Sequence, residues 1–300
     1  MIEVSKLFKS YGNKQVLYNV SFSAEDGLIT GFVGPNGAGK STTMRIIACL
    51  EQAELGTALV DGVPYSQTAC PGRAMGVYLG QGYLPTHMTG RAYLSYVCRL
   101  AKMPNSRVDE LLDMVELTDA ADKKIGSYSL GMKQREGIAA AIAGSPTTLM
   151  LDEPVNGLDP MGVQWLRRIL REQASSGKAV LLSSHLLAEL ELVADRVVML
   201  DHGRVVARGN MADLELAGGS YVLVRTSDND AMRQLLKLNG IDAQITNEGL
   251  VVSGLTTREV CRIAFEGNVL IDHLEEQKSS LEEVFMATAA GLGKEGAVHV

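Results

Sequence analysis

Gly34-Pro35-Asn36-Gly37-Ala38-Gly39-Lys40-Ser41-Thr42 is the stretch whose reading decides the fold. The apolar run Leu28-Ile29-Thr30-Gly31-Phe32-Val33 before it reads as a strand, and Met44-Arg45-Ile46-Ile47-Ala48-Cys49-Leu50 after it reads as a helix. Strand, glycine loop and helix in that order make a phosphate cradle. Three glycines let the loop curl until consecutive backbone N–H groups point inward, and the helix adds the positive end of its dipole. Lys40 then reaches the β- and γ-phosphates of a nucleotide, and the Ser41 hydroxyl can ligate Mg2+. A mere glycine-rich turn before a core helix would not need every fixed position of this pattern together with both flanking elements.

Working outward, 300 residues allow one large or two ordinary domains, and 46% hydrophobic residues are ample for a buried core. A formal net charge of −7 and a pI near 5.3 oppose a dedicated nucleic-acid binder. Cys49, Cys70, Cys98 and Cys261 are scattered without a Cys-x-x-Cys pair, so they are expected to be reduced and mostly buried, as in a cytosolic protein. No stretch approaches about 18 continuous apolar residues, and the N-terminus has no export signal. A membrane role therefore requires a partner.

Residues 1 to 33 alternate apolar and polar around a turn at Tyr11-Gly12-Asn13, which predicts antiparallel strands. Tyr11, at a strand end, either lies flat on a nucleobase or packs against the hairpin. Two more short strands are expected at Gly56 to Gly62 and Met75 to Leu79. A helical insert then runs over about 90–125, broken at Pro104-Asn105-Ser106. Thr148-Leu149-Met150-Leu151 lacks alternation and reads as a parallel-sheet strand buried on both faces. It ends at Asp152-Glu153, where Asp152 can hold Mg2+ and Glu153 points at the departing phosphate. Ala179 to Ser184 is a second buried strand, ending at His185 on the edge where open α/β sheets bind ligands. A hairpin with its turn at Asp201 to Gly203 closes the first domain.

These residues in this order resemble the nucleotide-binding subunit of an ABC transporter over about the first 215 residues. The more specific part is Ser127-Tyr128-Ser129-Leu130-Gly131-Met132-Lys133-Gln134-Arg135, which is similar to the ABC signature, followed by an alanine-rich helix from Gly137 to Gly144. The resemblance implies an α/β P-loop ATPase with an antiparallel β subdomain and a helical insert. It implies that two copies, or this chain and another ABC ATPase, face head to tail with ATP and Mg2+ between them. Ser129 and Gly131 of one subunit would touch the γ-phosphate held by the other. On this pattern Tyr11 stacks on adenine, Gly34 to Thr42 hold the phosphates, and Asp152 and Ser41 hold Mg2+. Glu153 polarises the attacking water, Gly157-Leu158-Asp159 contacts the opposite subunit, and His185 hydrogen-bonds the γ-phosphate. Two positions depart from the pattern: Leu130 replaces the first signature glycine, and Gly80 falls where a glutamine is usual, which makes the adjacent Gln81 a candidate Mg2+ ligand.

Residues 216–300 read strand, helix, strand, strand, helix, strand, an order that suggests a small ferredoxin-like α+β domain. A last helix opens on the capping box Ser280-Leu281-Glu282-Glu283. The tail Leu281-Glu282-Glu283-Val284-Phe285 resembles the C-terminal extension of ATPases serving ABC-2-type exporters, including antibiotic self-resistance pumps. The expected role is an ATPase at the inner face of the cell membrane that powers export through separate integral membrane permease subunits. Tyr93, Leu94, Tyr96 and Val97 of the insert are candidate docking groups, and nucleic acid is not an expected partner. Two alternatives stand beside it: a soluble ABC ATPase acting on nucleic acid or ribosomes, and a weakly active regulatory subunit suggested by Leu130.

Overall fold

Apolar runs that hide both strand faces build the central sheet. The computed structural model describes residues 1–185, 190, 191, 193–211, 213 and 220–278. Its first strands are β1 (Ile2–Tyr11), β2 (Lys14–Ala24) and β3 (Ile29–Val33). Helix α1 (Lys40–Ile47), β4 (Leu55–Val60), the single turn α2 (Pro71–Ala74) and β5 (Met75–Tyr78) follow. Next come α3 (Gly90–Leu100), α4 (Ser106–Met114) and α5 (Leu130–Ile142). The unit is completed by β6 (Thr148–Leu151), α6 (Pro160–Ser175), β7 (Ala179–Ser184), β8 (Arg196–Asp201) and β9 (Arg204–Asn210).

Six strands lie in the order β5-β6-β7-β3-β8-β9, parallel except for the β8–β9 hairpin. Every residue of β3, β6 and β7 is buried, as a strand covered on both faces requires. Because these three strands are parallel, Gly34, Asp152 and His185, each just past a strand end, come out on the same edge. A second sheet, β2-β1-β4, is antiparallel. Phe22 of β2 stacks on Phe32 of β3 with ring centroids 4.9 Å apart, joining the two sheets through one apolar cluster.

Helix α6 starts at Pro160, because the Asp159 side chain accepts from Gly162 N and Pro160 occupies the first turn. The insert's apolar face differs from expectation at Leu94. With Cys98 one turn later, Leu94 is buried, whereas Tyr96 is 54% exposed. The cysteines also differ: all four are free, but only Cys98 is buried, while Cys49 and Cys261 are exposed. Cys49 lies in a left-handed turn just past α1 (φ +55°), outside the helix. Among the described residues no helix is long and apolar enough to cross a membrane.

The second compact unit contains β10 (Ser220–Thr226), α7 (Asn229–Leu238), β11 (Ala243–Thr246), β12 (Gly249–Ser253), α8 (Thr257–Glu266) and β13 (Ile271–Lys278). Its sheet runs β11-β12-β10-β13, with every neighbouring pair antiparallel. Val222, Val224, Met232, Leu236, Leu250, Val252 and Val260 form its core. Asp228 caps α7, and Thr256 with Glu259 makes a capping box on α8. Asn268, three residues before β13, is left-handed (φ +56°) and closes the turn that follows α8. The expected capping box at Ser280 and the tail through Phe285 lie outside the described residues.

One buried charge position in the first unit has a measurable consequence. Glu136 on α5 is fully buried, and neither of its carboxylate oxygens has a hydrogen-bond partner among the described residues. Burial pushes its carboxyl up to about 7. Below an ordinary value of 4.5 the group is protonated in both folded and unfolded chains; above it the unfolded chain ionises first, so stability falls until about pH 7. Denaturant titrations should show the native chain losing about 2.5 kcal/mol more than Glu136→Gln between pH 5 and pH 8.

Candidate active site

The glycine loop leaves β3 at Gly34, where a Cβ would sit 2.0 Å from the Leu200 carbonyl oxygen. Gly37 (φ +83°) and Gly39 (φ +109°) hold left-handed backbone that side chains resist. Gly39 N-caps α1 without a side-chain bond, and such a helix start offers its first N–H groups to an anion. Ala38 is buried, its carbonyl accepting from Gly203 N at 3.0 Å, which pins the loop to the β8–β9 turn.

Lys40 is only 6% exposed, and its Nζ donates to the Gly34 carbonyl at 2.6 Å. It also lies 3.6 Å from Glu153 Oε1. Glu153 Oε2 meets His185 Nδ1 at 2.7 Å and accepts from Asn156 Nδ2 at 3.4 Å. One carboxylate thus bridges the start of α1 and the end of β7. The cleft around this bridge has a volume of about 420 Å3. Tyr11, Lys14 and Val16 line one side; Pro35, Asn36, Gly37, Gly39, Lys40, Ser41 and Thr42 form the floor; Glu153, Asn156 and His185 complete it. The Tyr11 phenol is held by Glu51, and burial followed by that contact raises its pKa.

Asp152 lies just behind Glu153. Its Oδ1 accepts from the Ser183 hydroxyl at 2.5 Å, while Ser183 Oγ accepts from Glu153 N at 2.9 Å. Ser183 therefore orients both carboxylate residues, a role not read from the sequence. Its only signal there is a polar residue inside an apolar strand.

A cradle of backbone N–H groups with a buried lysine and a carboxylate–histidine pair at one sheet edge suits a polyphosphate whose terminal bond is to be attacked. Comparison with known proteins agrees. A family profile described as "ABC transporter" matches residues 17–156. The uncharacterised ABC transporter ATP-binding protein YhcH of Bacillus subtilis (strain 168) is 30% identical over 288 residues, covering 92% of this chain and 94% of that protein.

The chain belongs to the ABC transporter ATP-binding family.

The daunorubicin/doxorubicin resistance ATP-binding protein DrrA of Streptomyces peucetius is 33% identical, covering 95% of this chain and 91% of that protein. The bacitracin transport ATP-binding protein BcrA of Enterococcus faecalis is 30% identical, covering 98% and 97%. Among solved structures, an ATP-binding subunit of an ABC transporter superposes with TM-score 0.65 at 28% identity over 72% of this chain and 92% of that one. The dimeric ABC cassette MJ0796 does so with TM-score 0.63 at 25% identity, covering 70% and 99%. Residues 220–282 match a domain of unknown function, DUF8746.

The residues expected to face a second subunit stand apart from the cleft. Ser129 caps α5 by accepting from Met132 N, Gly131 lies in the first turn of that helix, and Asp159 caps α6. None of the three lines the phosphate cleft. Gln81 also turns away from it: its Nε2 donates to Gln134 Oε1 at 3.1 Å. Leu130 is 56% exposed and lies on Gly157, where a Cβ would come within 2.2 Å of Leu130 Cδ2. Gly157 is left-handed as well (φ +83°). Gly157→Ala should therefore cost about 2 kcal/mol in thermal or denaturant unfolding. Leu130→Ala in the same chain should recover the steric half of that loss but not the backbone half.

Proposed function

We propose that this chain binds and hydrolyses ATP with Mg2+, as one half of an ATP-clamped pair that powers export through separate membrane permease subunits. The observation that carries the reading is the Glu153 carboxylate, placed between Lys40 of the phosphate loop and His185 at the end of β7. Lys40 and the loop N–H groups neutralise the β- and γ-phosphates. Glu153 orients and polarises the attacking water, and His185 hydrogen-bonds the γ-phosphate. Tyr11 stacks on adenine at the rim of the same cleft.

The donor chemistry suits Mg2+, which favours oxygen ligands and is commonly bound by few protein groups together with phosphates. The Ser41 hydroxyl and the Asp152 carboxylate would hold it; Gln81, the third candidate, would have to turn back from Gln134 to join them. When bound, it neutralises developing charge on the phosphate oxygens. No group of three or more His, Cys, Asp or Glu forms a separate metal cage among the described residues.

Ser129, Gly131 and Asp159 cap or begin helices away from the chain's own cleft, which supports a role toward the nucleotide of a second subunit, identical or not. The dimeric form of MJ0796 is in line with this. Relatives named for bacitracin transport and daunorubicin/doxorubicin resistance support an exporter of a drug, antibiotic, peptide or lipid-like substrate, with the chain peripheral on the cytoplasmic face of the membrane. The first domain is taken as 1–215 and the accessory domain as 216–300. The β-α-β-β-α-β order and antiparallel sheet of the latter support a ferredoxin-like reading. Leu130, in place of the first signature glycine, is the basis of one second reading, a regulatory subunit with weak turnover of its own, which the relatives named for transport do not favour.

Glu153→Gln decides the main reading. Phosphate release should fall by about 100-fold or more while ATP affinity is kept. An ATP-dependent dimer should accumulate on size-exclusion chromatography. A variant that turns over normally, or stays monomeric at saturating ATP, defeats the proposal; normal turnover by the isolated native homodimer defeats the regulatory reading.

A further inference from the structure

We propose that Gln134 on α5 is a positioning residue that sets the backbone of Glu153 and ties it to the Gln81 segment. The proposal rests on the reading of Glu153 as the group that polarises the attacking water. Gln134 is 1% exposed, five residues into the signature helix cap at Ser129. A buried primary amide is costly unless its donors and its acceptor are paired. Here both ends are paired. Its Oε1 accepts from the Tyr78 hydroxyl at 2.6 Å and from Gln81 Nε2 at 3.1 Å. Its Nε2 donates to the Pro154 carbonyl at 2.6 Å and to the Glu153 carbonyl at 3.2 Å. One side chain on a helix thus joins the segment following β5 to the segment following β6.

The grip falls where the backbone needs it. Glu153 has φ +48°, a region that residues bearing a side chain seldom occupy and that persists when the surroundings over-determine it. The Glu153 N–H is held by Ser183 Oγ at 2.9 Å, and its carbonyl is held by Gln134. With both ends of the residue anchored, its carboxylate is left aimed at Lys40 and His185. The same helix holds the segment again at Gly157 through Leu130. A displacement of Gln81 reaches Glu153 through the two ends of one amide, which couples the Gln81 segment to the hydrolytic carboxylate without passing through the nucleotide.

The test measures kcat per bound nucleotide, together with nucleotide affinity, in the full chain. Gln134→Glu keeps an acceptor for Tyr78 and Gln81 but removes the donor that grips Glu153 and Pro154; Gln134→Met removes both. Each should lose about 30-fold in kcat, the scale of a small misplacement of a catalytic group. Nucleotide Kd should stay within about twofold, a split that general structural damage would not produce. Tyr78→Phe loosens only the Oε1 anchor and should cost about threefold in kcat at unchanged affinity. Unchanged kcat in Gln134→Glu, or losses of kcat and affinity in equal measure, overturns the assignment. Should neither Gln134 variant bind nucleotide, Tyr78→Phe decides, and unchanged kcat there overturns it. Glu153→Gln run alongside separates the two ideas: if it turns over normally the reading of Glu153 is wrong, whereas if it is inactive and Gln134→Glu is not, only the positioning role falls.

Discussion

The Lys40–Glu153 contact is the constraint on which the rest of the active unit depends. Burying a cation is costly unless it is partnered, and Lys40, 6% exposed, has a loop carbonyl at 2.6 Å and a carboxylate at 3.6 Å. Those groups belong to loops that follow two different strands. They meet because β3 and β6 are parallel members of one sheet, separated by β7, and so both release their chains at the same edge. An antiparallel arrangement of either strand would carry one partner to the far end of the sheet.

The same economy appears in the residues that hold these groups from behind. Ser183 serves Asp152 and Glu153 with one hydroxyl, and Gln134 serves four groups with one amide. Both are buried polar residues in otherwise apolar surroundings, where an unpaired group would be costly and a fully paired one rigidifies. Glu136, two residues from Gln134, is the contrasting case: it is buried with no hydrogen-bond partner for its carboxylate among the described residues. The signature helix therefore carries a stabilising polar residue and a destabilising one within a single turn. The signature helix begins close to the loop after Glu153, since Leu130 lies on Gly157, so its packing bears on the geometry of the cleft.

Much of this was legible in residue order. The phosphate loop, the buried strands before Asp152 and His185, the hairpin at Tyr11 and the helical insert are all local patterns, set by backbone chemistry and hydrophobic period within short windows. Placing Lys40, Glu153 and His185 in one cleft needed only the rule that parallel strands end together. Gln81, Leu94 and the cysteines were harder, because each depends on what packs against it. Leu94 has the look of a surface group on an isolated helix, but it shares the inward face of α3 with Cys98. Gln81 stands beside the expected position, yet its amide is taken by a glutamine 53 residues away.

The sequence by itself determined that a phosphate-binding loop sits between a strand and a helix, that two carboxylates and a histidine close buried strands, and that a signature segment precedes them. These features need no knowledge of distant contacts. Only the tertiary structure decided which side chains hold them in place: Ser183 behind the carboxylates, Gln134 across two segments, and Leu130 on Gly157. Hydrogen bonding and close packing between residues far apart in the chain leave almost no trace in local pattern. A single glutamine or serine reads as an ordinary polar residue until its partners are brought to it.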